Sequence, residues 1–362
     1  MNRFVTKFAL VVLAMIFMGG QVRAQFTTTF AKNATPGQQN GMYYSLPQTM
    51  LKLDFVIQET ELEKGPLSDY ASTYLGMENY VEYETVEYQL LDVRMTPIAC
   101  PDPNALFFVT FTNARGGNKA RFDMLPNGII RSVGVGNDAD AVEEIPVIQK
   151  ESSQCCHKDT DQKSGFMGLI SAGKSNAQMA KEAADKIEEI RKARHYLITG
   201  DVEMASNPET FKAMCQKMDE MEQEYMSLFL GKRVSKMVVK TVYVIPNKEV
   251  KTQTVAMFSE PEGLTLGTAA SGDPISVQTL SLNTTAAINA PSQSAVESMS
   301  YENKVFYRVP ETANVRVMYG NEMLLEERLT VNQLGVLLMA PVSNAKLVFD
   351  TETGQIVNMR MQ

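Results

Sequence analysis

The chain has no tryptophan, two histidines and four cysteines among 362 residues. Each shortage excludes something. Without Trp, the most effective ring for stacking against a sugar is missing, and any aromatic surface must be built from Tyr and Phe. With His157 and His195 alone, a Ser or Cys nucleophile has little choice of base, and no Gly-x-Ser-x-Gly elbow is present. His157 lies in a polar stretch and His195 at the end of a helical pattern, so neither is assigned a catalytic role. Carboxylate pairs could still serve a glycosidase, but 42 acids make any pairing read from sequence arbitrary.

No Lys/Arg-rich cluster interrupts the chain, and its formal net charge is -8. A net-acidic surface repels phosphate backbones, which excludes nucleic acid as an expected partner. A long apolar run occurs once, from Phe8 to Met18, after Arg3 and Lys7 and before Val22-Arg23-Ala24. This is the charged start, short apolar centre and small-residue cleavage point of a signal peptide. It is shorter than the roughly 20 apolar residues of a membrane anchor. Cleavage after Ala24 is expected to leave a protein that does not span the membrane. It takes away Arg3, Lys7 and Arg23 and no acid, so -8 becomes -11.

An even count of cysteines in an exported chain suggests disulfides, but Cys100, Cys155, Cys156 and Cys215 are too few to define a scaffold. The Cys155-Cys156-His157 run is not spaced as a zinc site, whose cysteines are usually separated by two or more residues. No metal and no cofactor are expected. Gly168-Leu169-Ile170-Ser171-Ala172-Gly173-Lys174-Ser175 matches the phosphate-loop pattern. The preceding residues are polar rather than a buried parallel strand, so Ser175 reads as a helix cap and no nucleotide is expected.

What is present is alternation. Met50 to Ile57 and Tyr88 to Met95 read as half-buried strands, and strand patterns return in Met237 to Ile245, Thr252 to Phe258, Val305 to Val309, Val315 to Tyr319, Val336 to Met339 and Leu347 to Phe349. Leu67 to Leu75 reads as a short helix closed by Gly76. Between the strand-rich parts the period changes: Ala180, Ala184, Ile187, Ile190 and Leu197 recur at helical spacing after a Ser175/Gln178 capping box. Phe211, Met214, Met218, Met221, Tyr225 and Phe229 do so after Asn207-Pro208. The expected class is α+β, with antiparallel β-rich units flanking a long antiparallel helical hairpin. The expected divisions are a signal peptide over 1–24, a β-rich unit over 25–149, a polar linker over 150–174, the hairpin over 175–231, a β-rich unit over 232–282, a flexible linker over 283–303 and a C-terminal β-rich unit over 304–362.

The chain also echoes itself. Tyr44-Ser45-Leu46-Pro47-Gln48-Thr49 is similar to Tyr307-Arg308-Val309-Pro310-Glu311-Thr312. Phe122-Asp123 leading to Gly128-Ile129, Phe258-Ser259 leading to Gly263-Leu264 and Phe349-Asp350 leading to Gly354 all read as strand, tight turn, strand. Chance likeness between short hairpins is the competing reading. Tyr70, Tyr74 and Tyr80, with Met214, Met218 and Met221, form the candidate interaction surface; the same spacings also suit a core edge and packing between helices.

Tyr43 to Thr49, Gly65-Pro66-Leu67 with Tyr70 to Gly76, Glu224 to Gly231 and Tyr307 to Pro310 resemble an uncharacterised Bacteroidetes family, the one numbered 4831 among domains of unknown function. The resemblance covers most of the chain from about Met42. It implies an exported protein in the periplasm or on the outer surface of a Gram-negative cell, and it carries no established activity. The expected function is therefore a non-catalytic envelope protein that binds another protein or a surface component. The alternative is a secreted hydrolase acting on glycans or peptides.

Overall fold

The computed structural model describes residues 26–34, 40–111, 120–135, 174–199, 208–267, 271–290, 296–297, 299–342 and 345–361. Three antiparallel sheets make up the framework. The first joins β1 (Phe26–Phe30), β2 (Gly41–Glu63), β3 (Thr85–Phe111), β6 (Lys232–Val244) and β10 (Tyr301–Glu302) in the order β10-β1-β3-β2-β6. The second joins β7 (Thr252–Ser259), β8 (Gly263–Thr265), β9 (Asp273–Ser281), β11 (Lys304–Tyr319) and β12 (Glu322–Pro341) in the order β12-β11-β9-β7-β8. The third joins β4 (Ala120–Met124), β5 (Ile130–Val135), β13 (Ala345–Phe349) and β14 (Ile356–Met361) in the order β14-β13-β5-β4.

This arrangement corrects the expected class. Strand accounts for 56% of the described residues and helix for 23%, and two of the sheets mix strands from before and after the helices. The β segments therefore interleave in one framework and do not flank a helical centre as separate units. Nor is a long helical hairpin a unit of this fold. The residues expected to turn it, around Gly200, lie outside the described residues. The helices are α1 (Ala71–Leu75), α2 (Asn176–Thr199) and α3 (Pro208–Leu230), and they lie at the edge of the β framework. Their satellite core gathers Leu67 and Ala71 against Ala180, Ala183 and Ile187 of α2 and Leu228 and Phe229 of α3. Farther along, α2 also buries Ile190 and Leu197, and beside them Arg191 Nε reaches Glu222 at 2.6 Å and Arg194 pairs with both Glu222 and Asp219.

Four strands are much longer than the usual 3–10 residues: β2 has 23, β3 has 27, β11 has 16 and β12 has 20. A strand of that length serves two cores, and the side it buries must change on the way. In β2, Tyr44 and Leu46 face an aromatic core, whereas Leu51, Leu53, Phe55 and Ile57 face an aliphatic one. Even and odd positions point to opposite faces, so the change needs a break in the ladder. The break is the register shift between Ser45 and Pro47, within a run from Tyr44 to Thr49 in which every residue is buried. β11 behaves alike: Phe306 and Arg308 are buried before its register shift at Val309/Glu311, and Ala313, Val315 and Val317 after it. Both breaks contain a proline, which cannot donate to a ladder and is found in sheets at bulges and edges.

The sequence echo is therefore structural. Each Tyr-x-x-Pro-x-Thr hexad sits at the bulge of a long hairpin, and each bulge is met by the turn of a short one. Ser45 N donates to Gly128 O and Arg308 N to Gly354 O, both at 2.9 Å, at matching positions of the two hexads. Opposite the bulges, Asp102 to Ala105 of β3 and Asn332 to Gly335 of β12 leave the ladder. Gly335 is needed there for close approach, since a Cβ on it would lie 2.0 Å from Val309 O.

Candidate functional site

The two bulges clasp each other. Asp102, from the excursion of β3, accepts from Arg308 Nη2 at 2.7 Å, and Arg308 Nη1 donates to Pro47 O at 2.8 Å. In return Gln333, from the excursion of β12, takes the part of a strand. Its Oε1 accepts from Thr49 N and its Nε2 donates to Thr49 O, each at 2.9 Å. Asn332 N donates to Thr49 Oγ1 at 3.0 Å, and Phe306 N donates to Tyr44 Oη at 3.0 Å. Burial pushes the Tyr44 hydroxyl far up, against the bond from Phe306, so it remains a neutral phenol.

Beside the clasp opens a cleft of about 1130 Å³, somewhat larger than the roughly 300–1,000 Å³ usual for ligand pockets. Asp102, Arg308 and Glu311 contribute to its lining, Asn104, Ser281 and Asn283 add polar groups, and Lys248 and Lys251 are exposed side chains of the β6–β7 connection. One wall is the segment that follows β9, which Glu311 holds in place. The Glu311 carboxylate accepts from Thr284 N at 2.7 Å, Thr284 Oγ1 at 2.6 Å, Thr285 N at 3.1 Å and Thr285 Oγ1 at 2.6 Å. Burial alone would raise its pKa, but these donors outweigh burial and bring it down to about 2.

A carboxyl whose folded pKa lies below its unfolded value of about 4.5 stabilises the fold above that value, and the contribution fades as pH falls towards about 2. The shift corresponds to about 3 kcal/mol. Urea unfolding at a series of acidic pH values should show this loss in the wild type, and Glu311→Gln should remove most of that part of the slope. Equal slopes in the two proteins would contradict the assignment.

The sequence-predicted surface residues do not come together in this cleft. Tyr70 and Tyr80 are half-buried against the satellite core, and Tyr74 is 38% exposed with its ring 6.3 Å from that of Tyr70. Met218 is half-buried, while Met214 and Met221 are 41% and 39% exposed. Two of the three methionines thus stay exposed, and the residues that α3 buries fully are Leu228 and Phe229 of its last turn. Cys155, Cys156, His157 and the phosphate-loop match up to Gly173 lie outside the described residues. Its last two residues are described. Ser175 and Gln178 exchange the reciprocal bonds of a capping box, and Lys174 Nζ meets the Glu182 carboxylate at 2.6 and 2.7 Å. Among the described residues no group of His, Cys, Asp and Glu is arranged to hold a metal, and Cys100 and Cys215 are free. Burial pushes the Cys100 thiol up against a hydrogen bond from Gln48, the reverse of what a nucleophile needs.

Asp102, Arg308 and Glu311 were not singled out from sequence. One signal pointed to them: a proline in the middle of each echoed strand, where a ladder must break.

Fold and cleft together define an antiparallel β protein built on two long hairpins that clasp at their bulges. The chain belongs to the family described as a domain of unknown function, DUF4831, whose model matches residues 40–357. No curated protein and no solved structure matches it. Among the described residues no helix is long and apolar enough to cross a membrane.

Proposed function

We propose that this is an exported envelope protein that works by binding, its partner being another protein or a surface component and the cleft beside the clasp the place of contact. The observation that carries this reading is where the deep charges of the cleft are spent. Arg308 is taken up by Asp102 and Pro47 O, Asp102 also by Asn104 N, and Glu311 by Thr284 and Thr285. A catalytic acid or base must be free to exchange a proton with a substrate, whereas these groups are held by the protein itself. The exposed lining mixes amide, hydroxyl and lysine groups with the Glu249 carboxylate and the apolar Ile245 and Leu280, a mixture that suits recognition. The apolar start of the chain supports export.

Filling the cleft tests this. Asn104→Trp and Ser281→Trp replace exposed lining residues, so folding should persist while capture of a specific partner from envelope fractions falls about tenfold or more. If both variants capture the same partner as well as the wild type, the cleft is not the contact site. Hydrolysis of glycans or peptides that Asp102→Asn abolishes in a folded protein would favour the hydrolase instead.

A further inference from the structure

We infer that the second half of β12, Leu337 to Pro341, receives a strand from another polypeptide, an extended segment lying antiparallel along its free edge. The two bulged hairpins present matching edges, of which one is filled and the other is not. Ser45 of β2 stands opposite Leu106 of β3, and Arg308 of β11, at the same point of its hexad, stands opposite Leu337 of β12. In the first hairpin the edge beyond Leu106 is taken by β1, whose Thr29 and Thr27 lie opposite Phe108 and Thr110. Counted from Leu337, the matching positions of β12 are Met339 and Pro341. Among the described residues no strand lies beside them, since β12 pairs with β11 alone.

The backbone at these positions points outwards. Arg308 N donates to Gly354 O and Phe306 N to Tyr44 Oη, so both residues turn their peptide groups away from β12. In an antiparallel ladder residues directly opposite share that state. Leu337 and Met339, opposite Arg308 and Phe306, therefore turn theirs away from β11 and towards the free edge, while their side chains rest on the aromatic core. Val342 N donates to Asn303 O at 2.8 Å, as the same alternation requires. Among the described residues neither Leu337 nor Met339 has a hydrogen bond on the edge side.

This edge also lacks the usual protection. Val336-Leu337-Leu338-Met339-Ala340-Pro341 carries no charge. The other edge strands of more than three residues do: Arg121 and Asp123 in β4, Lys236 and Lys240 in β6, and Arg360 in β14. Edges are ordinarily blunted by charge, and an apolar one is a template for strand addition. Pro341 blunts only its end. The filled slot shows what suits the empty one. β1 reads Phe-Thr-Thr-Thr-Phe, with Phe26, Thr28 and Phe30 buried and Thr27 and Thr29 half-buried. Phe26 O accepts from Asn303 N on the side of β10, so Thr27 and Thr29 turn their peptide groups to β3. The occupant of β12 is thus an uncharged segment of alternating pattern. Its residues opposite Leu338 and Ala340 take the places of Phe30 and Thr28, on the face where Ala340 is buried.

The inference does not rest on the cleft as the place of contact, and it is tested without any envelope partner. A fluorescent synthetic peptide with the sequence of residues 25–31 should bind the purified protein saturably, as read by fluorescence polarisation. Met339→Pro takes away an edge N–H that the ladder to β11 does not use. The fold should therefore persist, by circular dichroism, while peptide affinity falls about tenfold or more. Should that variant fail to fold, Leu337→Pro removes the neighbouring edge N–H in its place. Changes to the peptide leave the protein intact. N-methylation at the counterpart of Thr27 or Thr29, whose N–H groups face the edge, should abolish binding, and N-methylation at the counterpart of Thr28 should not. A peptide that does not bind, binding indifferent to the proline variants, or equal loss at all three threonines would overturn the inference.

Discussion

Replacing Arg308 with Met is expected to destabilise the fold by about 3–5 kcal/mol, because it strands the Asp102 carboxylate in the interior. The side chains of this pair are 9% and 4% exposed, and they meet at 2.7 Å. Arg308 also satisfies Pro47 O, so its loss orphans a buried acceptor as well as a charge. The clasp binds residues 206 and 261 positions apart, so the damage should extend to both long hairpins. Denaturant melts followed by tyrosine fluorescence and by circular dichroism should shift together. A shift of less than about 1 kcal/mol would place Arg308 among surface ion pairs, which contribute little.

Phe107→Ala should cost about as much, roughly 3–5 kcal/mol, by a different route. Phe107 is fully buried, stacks on Phe306 with centroids 4.4 Å apart and planes at 10°, and lies 4.8 Å from Phe30 and 5.1 Å from Tyr44. Those partners come from β1, β2 and β11, so the ring joins the first sheet to the second hairpin. Truncation removes both the transfer energy of the ring and its aromatic contacts, and leaves a cavity that strands on three sides cannot close. The same melts report it. Phe111→Ala, at a ring 37% exposed, is the comparison that should cost far less.

Local features of this fold were legible because local chemistry causes them. The Ser175/Gln178 capping box marks the start of α2, Gly76 takes the left-handed conformation that ends α1 with φ of 66°, and alternation locates the strands. Family membership was legible too, from short motifs spread over residues 43 to 310. The clasp was not. No period in the sequence announces that Asp102 will meet Arg308, since the pairing is fixed by how two bulged hairpins cross. The composition of residues 283 to 303 reads as flexible, yet Thr284 and Thr285 supply the donors that hold Glu311. The methionines of α3, read from their spacing both as a surface and as helix packing, show a related point. A helical stripe says that one face is apolar but not how much of its length finds a partner, and here Leu228 and Phe229 are the residues that do.

The measurement that tests the central claim most directly is made on the double variant Asp102→Leu/Arg308→Met. Removing both members of a buried ion pair in favour of apolar groups is often neutral for stability, unlike removing one. If these charges hold the fold and the protein acts by contact, the double variant should melt well above Arg308→Met alone and should still capture the envelope partner. A double variant that is stably folded and keeps its partner, but has lost a hydrolytic activity that the wild type shows on glycans or peptides, would contradict the claim and make the Asp102–Arg308 pair part of a catalytic site.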